Sequence, residues 1–375
     1  GCSVIVSQLF GAKKLGEMKT AVYTTFISSA VVCAALMLAG TLGCDGLLRL
    51  INTPENVFAD SKLYLDIYIL GLPFVFFYNV ATGIFSALGD SKTPFWFLAC
   101  SSLSNIFVDI LFVTTFQMGV AGVAWATFLC QCVSCVLAVA VVFRRLAQVE
   151  GAEKAPVFSG RILQRILRIA IPSVLQQSFI SFGNIIIQTV INGYGPSVIA
   201  GYAAAVKLNN LVITSFTTIG NGISNYTAQN LGAGKIDRIK KGIWLAIFYT
   251  CIWCTLVIVA SYTIGDKLVY LVTGTHNENV ILNATRYLKF DTLFYYVTAV
   301  ICIVRNAMQG LDDHITPIVS STLEMLGKIV IAFTLVPHLG YTGVIIAEPI
   351  VWFVMVIPLI VQIFRMPVLK QTSLS

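Results

Sequence analysis

The chain has 375 residues, of which 57% are hydrophobic and only 11% charged, with a mean hydropathy of +0.85. A soluble domain of this size needs roughly a quarter of its residues charged to cover its surface, so bilayer is the solvent this composition fits. The net charge of +7 does not make a nucleic-acid surface: the basic residues are scattered through the short segments between apolar runs.

Taken in chain order, the apolar runs give one partial span at 1–10 and ten full spans. These lie near 19–42, 62–88, 94–115, 120–143, 166–192, 197–230, 242–262, 284–308, 315–336 and 342–364. A full crossing takes about 20 residues, so the first run is expected to be the end of a helix that starts before Gly1. The runs at 62–88 and 197–230 exceed that minimum, which predicts tilt or extension beyond the bilayer. Alternate connections carry sixteen Lys and Arg on one side against five on the other, which places the first side in the cytoplasm. The soluble-looking segment around 146–165 falls on that side. It is expected to join an amino-terminal lobe, 1–145, to a carboxy-terminal lobe, 166–365, followed by a cytoplasmic tail, 366–375. The Cys251-x-x-Cys254 pair sits mid-span beside Ile252 and Trp253, with no His or acid near it, and reads as buried thiols rather than a metal or redox motif.

The chain repeats itself. Over 1–21 and 222–242 there are seven identities in 21 positions at a shift of 221, including Gln8 with Gln229 and Gly11 with Gly232. The pattern Gly119-x-x-Gly122-Val123-x-x-Ala126 recurs as Gly340-x-x-Gly343-Val344-x-x-Ala347 at the same shift. Asp90-x-x-Thr93-Pro94 recurs as Asp313-x-x-Thr316-Pro317 at 223. The shift corresponds to six helices, an even number, so equivalent loops face one side. Two pseudo-symmetric six-helix lobes in a parallel repeat are expected, of the kind that opens a shared site to each side in turn. On this count the first helix and part of the second are missing before Gly1.

Ser7-Gln8-x-x-Gly11-Ala12 and its copy at 228–233, Gly71-x-Pro73-Phe74, Gly89-Asp90-Ser91-x-Thr93-Pro94 and Pro172-x-x-Leu175-Gln176 resemble the multidrug and toxic compound extrusion (MATE) family over the whole chain. The resemblance implies an all-α polytopic membrane protein that is not an enzyme. Such a protein exports organic, often cationic, compounds against inward Na⁺ or H⁺ flow and needs no cofactor besides that coupling ion.

Ionisable residues deep in a span cost about 2.5–3.5 kcal/mol or more and mark function. Asp109 stands out in SSLSNIFVDILFV, with Asn105 one turn earlier on the same face. Together they offer oxygen ligands to Na⁺, or a carboxylate whose burial lets it carry a proton. In the DinF-like branch of the resembled family, an Asn and an Asp on the fifth helix and a Thr on the sixth take this role, and Asn105, Asp109 and Thr127 match them. A further Asp of that site, on the first helix, is not in this sequence. The NorM-like branch uses acids on the seventh and tenth helices. The seventh helix here has none, and Asp291 on the tenth lies nearer its outer end, which favours the DinF-like branch. Glu324 and Lys328, four residues apart, read as a mutually neutralising pair, Arg305 as snorkelling to the cytoplasmic surface, and Glu348 as the repeat mate of Thr127. Tyr78, Asn79, Gln176, Gln177 and Lys207 are candidates to line a substrate cavity, where aromatic and amide groups suit organic cations.

The partners expected are small organic molecules and lipid, without nucleic acid, for a monomer in the cell (plasma or inner) membrane with both termini cytoplasmic in the full-length protein. A flippase for lipid-linked saccharides shares the two-lobe plan, but it should line its cavity with several Lys or Arg to hold phosphates. A membrane-embedded enzyme would need catalytic acids or His pairs inside the spans, which the sequence lacks.

Overall fold

In hydrocarbon every backbone N–H and C=O must be paired within the protein, and a helix achieves this inside one segment. The computed structural model describes residues 1–50, 55–149 and 155–370, and over these the regular structure is helical. The helices are α1 (Cys2–Gly11), α2 (Leu15–Leu50), α3 (Glu55–Leu70), α4 (Leu72–Ala87) and α5 (Lys92–Ile110). A π-helical turn, Leu111–Thr115, follows α5 directly, and α6 (Gly119–Ala147) comes next. Then come α7 (Gly160–Ile191), α8 (Pro196–Gly232), α9 (Ile236–Thr273), α10 (Glu278–Thr292) and α11 (Tyr295–Gly310). The chain closes with α12 (Ile315–Thr334), the single turn α13 (Val336–Leu339), α14 (Tyr341–Arg365) and the short α15 (Pro367–Lys370).

Among the described residues, eight helices are long and apolar enough to cross a membrane, or ten spans in all when each of two bent pairs is taken as one. The chain is an all-α polytopic membrane protein. The long run at 62–88 is accommodated by a break rather than by tilt alone: α3 and α4 meet at 44°, where Pro73 opens α4 just after Gly71. The run at 284–308 breaks too, at 59° between α10 and α11, with neither Gly nor Pro at the junction. Most helices outrun their apolar cores by several residues at either end. The segment between the halves is therefore shorter than the sequence implied, since α6 continues to Ala147 and α7 begins at Gly160. Part of it, 150–154, lies outside the described residues, as do 371–375 of the tail.

The chain divides into two compact units, Cys2–Ile166 and the remainder from Leu167. In the first, α1 packs on α2 and α4, α2 on α3 and α4, and α6 on α3, α4 and α5. In the second, α8 packs on α9 and α11, α9 on α10 and α11, and α14 on α10, α11 and α12, so each of these pairs matches one in the first unit. Helix α8 also packs on α10, for which α1 and α3 show no match among the described residues. The turns agree in atomic detail. Asp90 Oδ1 accepts from the backbone N–H of Lys92 and Thr93 and its Oδ2 from the Thr93 hydroxyl. Asp313 accepts likewise from Ile315, Thr316 and the Thr316 hydroxyl. Gly119 and Gly340 both turn left-handed, at φ 59° and 58°. A Cβ on Gly122 would lie 3.0 Å from Met118 Cβ, and one on Gly343 would lie 3.0 Å from Val336 Cα, so both repeats need a bare backbone there.

Candidate functional site

In the first unit, α4, α5 and α6 enclose a cavity of about 220 Å³. Tyr78 and Phe74 reach it from α4, Asn105 from α5 and Thr127 from α6. The Asn105 amide donates to the Thr127 hydroxyl over 3.5 Å, joining two of the three expected coupling residues. Asp109 does not line this cavity. It sits half-buried one turn further along α5, with Oδ1 buried and without a hydrogen-bond partner, immediately before the π-helical turn. Asn79 points elsewhere: it is exposed and donates to the Val75 carbonyl of its own helix.

At the end of this unit where α5 begins, Arg145 of α6 closes on Asp90, Nη1 to Oδ2 at 2.5 Å, and also donates to the Thr93 hydroxyl. Partial burial works against the Asp90 charge. The Thr93 side-chain and backbone hydrogen bonds and the Arg145 guanidinium outweigh it and hold the carboxyl down at about 2.

The second unit holds a larger cavity, about 570 Å³, walled by α7, α8, α10, α11, α12 and α14. Gln176 and Gln177 lie on its wall, and Gln176 accepts from Gln309 at 3.0 Å. Lys207 does not: it is exposed and borders a separate recess of about 390 Å³ between α8 and the end of α9. The Glu324–Lys328 pair is the centre of a wider network. Lys328 Nζ meets Glu324 at 3.1 Å, Glu348 at 3.0 Å and the Asn184 amide oxygen at 2.7 Å. Arg305 is also buried, 8% exposed, rather than snorkelling outward. Its Nη2 donates to Ser320 Oγ at 3.2 Å and lies 4.0 Å from Glu324. Sequence reasoning sent Arg305 to the surface because it is one turn from the helix end, and could not see that α12 presents Ser320 and Glu324 to it. Asp291, passed over as too near the end of its helix, is fully buried with neither carboxylate oxygen hydrogen-bonded. The available signal was an acid between Phe290 and Leu293 with Tyr287 one turn before it.

A buried carboxylate or ion network inside a bundle of apolar crossings is costly, and its presence there marks a site that handles charge or solute. Fold and sites together define a polytopic helical membrane protein built of two repeated helical units. The chain belongs to the MatE family, whose family model matches residues 1–111 and 172–334. It is 29% identical over 257 residues to the probable multidrug resistance protein YpnP of Bacillus subtilis, a match covering 68% of this chain and 57% of that protein. A second relative from that organism, the probable multidrug resistance protein YoeA, is 27% identical over 344 residues, 89% of this chain and 74% of the relative. The chain thus spans little more than half the length of the first of these. Among solved structures, a multidrug resistance MATE family transporter of the MOP superfamily, in an outward-facing conformation, superposes with a TM-score of 0.92. It is 21% identical, and the match covers 99% of this chain and 84% of that one.

Proposed function

We propose that this chain is a secondary active exporter of organic compounds, cationic ones included, driven by Na⁺ or H⁺ entering the cell and working by alternating access between two lobes. Family membership carries the reading, and the names of the relatives, both multidrug resistance proteins, supply the substrate class. The lobes are 1–145 and 166–365, and the repeated neighbour pairs and turn hydrogen bonds favour their common descent from one six-helix plan. The membrane is the cell membrane, with the Lys- and Arg-rich connections cytoplasmic, and a single copy suffices. The partners are the small organic solute and the lipid; no cofactor is called for besides the coupling ion.

Asn105, Asp109 and Thr127 are the coupling group, with Asp109 the ion carrier. The argument is physical: a carboxylate oxygen buried without a partner is costly unless a cation pairs with its charge or a proton neutralises it. Asp291 meets the same criterion more fully and supports a second reading, in which the coupling ion enters the second unit. The lipid-linked saccharide flippase is disfavoured, because the two cations on the large cavity, Arg305 and Lys328, are accompanied there by Glu324 and Glu348.

Efflux from everted vesicles under an imposed Na⁺ gradient or an imposed pH gradient tests both readings. Asp109→Asn keeps shape and removes charge, so ion-driven export should vanish while the purified protein melts within a few degrees of the parent. Full export by Asp109→Asn and none by Asp291→Asn would move the coupling site to the second unit.

A further inference from the structure

Helix α11 turns a stripe of residues to the 570 Å³ cavity at helical spacing: Thr298, Ile301, Cys302, Arg305 and Gln309. Two polar atoms on this stripe are buried without a hydrogen-bond partner, Thr298 Oγ1 and Arg305 Nε. A guanidinium presents five N–H donors in a planar fork. Arg305 has one short contact, to Ser320, and a distant one to Glu324 at 4.0 Å. Glu324 sits closer to Lys328, at 3.1 Å. Lys328 in turn is complete, its three donors matched by Glu324, Glu348 and Asn184. Within one network, then, the lysine is satisfied and the arginine is not. A buried cation left under-coordinated is expensive, and the fork geometry that would relieve it is that of a carboxylate.

The rest of the wall mixes amides, Gln176, Gln177, Asn210 and Asn306 among them, with the aromatic rings of Tyr202, Tyr287 and Trp352. Arg305 and Lys328 are matched in number by Glu324 and Glu348, so charge alone does not exclude a cation here, but a purely apolar solute would offer Gln177 and Asn210 no hydrogen-bond partner. A hydrophilic solute would pair them. The first unit's cavity also mixes aromatic with amide and hydroxyl side chains, Phe74, Tyr78, Asn105 and Gln131 among them, and differs in having no charged residue.

We infer that the large cavity of the second unit is a binding site for a hydrophilic solute bearing a carboxylate, seated on Arg305, with its amide or hydroxyl groups held by the surrounding side-chain amides. The inference adds a substrate class to the exporter reading and takes its biological meaning from that reading. It is tested by binding alone, so that failed efflux and failed binding are separate results.

Isothermal titration of the purified protein uses trialanine, trialanine carboxamide and tetraphenylphosphonium as probes. Trialanine should bind saturably, and its carboxamide about tenfold more weakly or worse, as expected for loss of a charged hydrogen-bonded pair. Arg305→Gln should bring trialanine down to the carboxamide's level, and Arg305→Lys should fall between, keeping charge without the fork. Should Arg305→Gln not fold, the acid-against-amide comparison in the parent protein decides by itself. Equal affinity for acid and carboxamide overturns the proposal. So does the absence of binding by both peptides, or an acid preference that Arg305→Gln leaves intact.

Discussion

The contact between α5 and α6 in the first unit has a counterpart between α12 and α14 in the second, and the two differ in the side chains that meet there. At the shift of 223 that relates Asp90 to Asp313, Asn105 corresponds to Lys328. At the shift of 221 along the last helix, Thr127 corresponds to Glu348. The first pair is a neutral hydrogen bond of 3.5 Å on a helix with no buried residue. The second is an ion pair of 3.0 Å with its lysine 2% exposed. Asp109 would correspond to Ala332, so this acid has no echo in the other unit. Caps, turns and helix contacts are kept while the facing side chains diverge. Geometry is what the units share, and charge is what distinguishes them.

That contrast breaks first at the ion pair. Lys328→Asn strands two buried carboxylates and should cost about 3–5 kcal/mol of stability, read as thermal unfolding in detergent. Adding Glu348→Thr recreates the first unit's pair and should recover a measurable part of the loss. A double variant as unstable as the sum of the two singles would mean the pair is not coupled. Next come the close helix approaches. Gly122→Ala and Gly343→Ala each drive a methyl group against a neighbour at 3.0 Å, and each should cost about 1–3 kcal/mol. Similar values would show that the two corners bear equal packing, and a tolerated substitution in one unit alone would break the correspondence.

The smallest effect separates the twin turns. Asp90 is clamped by Arg145, whereas Met366 stands at the equivalent place after α14 and no ion pair to Asp313 exists among the described residues. Asp90→Asn should therefore cost about 1 kcal/mol, more than Asp313→Asn. The pH dependence follows from the depressed carboxyl. Its contribution is present above the ordinary carboxylate value near 3.8 and is lost as pH falls through about 2. Melting of the parent between pH 5 and 2 should thus fall more steeply than that of Asp90→Asn.

Much of this architecture was written in local signals. Long apolar runs located the crossings, and the Asp-x-x-Thr-Pro repeat marked two equivalent turns. The run at 62–88, by contrast, reads as tilted or extended although Gly71 and Pro73 stand at its bend. The second bend was not readable, because Leu293 and Phe294 carry no breaker. Its place is nonetheless the repeat image of the first, Gly71 falling on Phe294 at a shift of 223, so packing imposes it where the local sequence does not. The sites divide in the same way. Asp109 and Asn105 announced themselves as polar groups one turn apart in a hydrophobic run. Arg305, Glu348 and Asn184 come from three different helices, and no spacing along the chain could gather them around Lys328 or show that Arg305 is left short of acceptors.

The π-helical turn after Asp109 has a further consequence, in chain length. From Asp90 to Gly119 is two residues longer than from Asp313 to Gly340, and the excess falls where Phe116 N–H reaches back to the Leu111 carbonyl at 3.2 Å. Two residues added to an ordinary helix would swing everything beyond them by about 200°, turning α6 away from its neighbours. A wider turn takes up added length without that rotation, much as the one-turn α13 with its Pro337 occupies the shorter connection in the other half. This corner is thus where the two halves could change length independently while Asn105 and Thr127, like Lys328 and Glu348, kept facing each other.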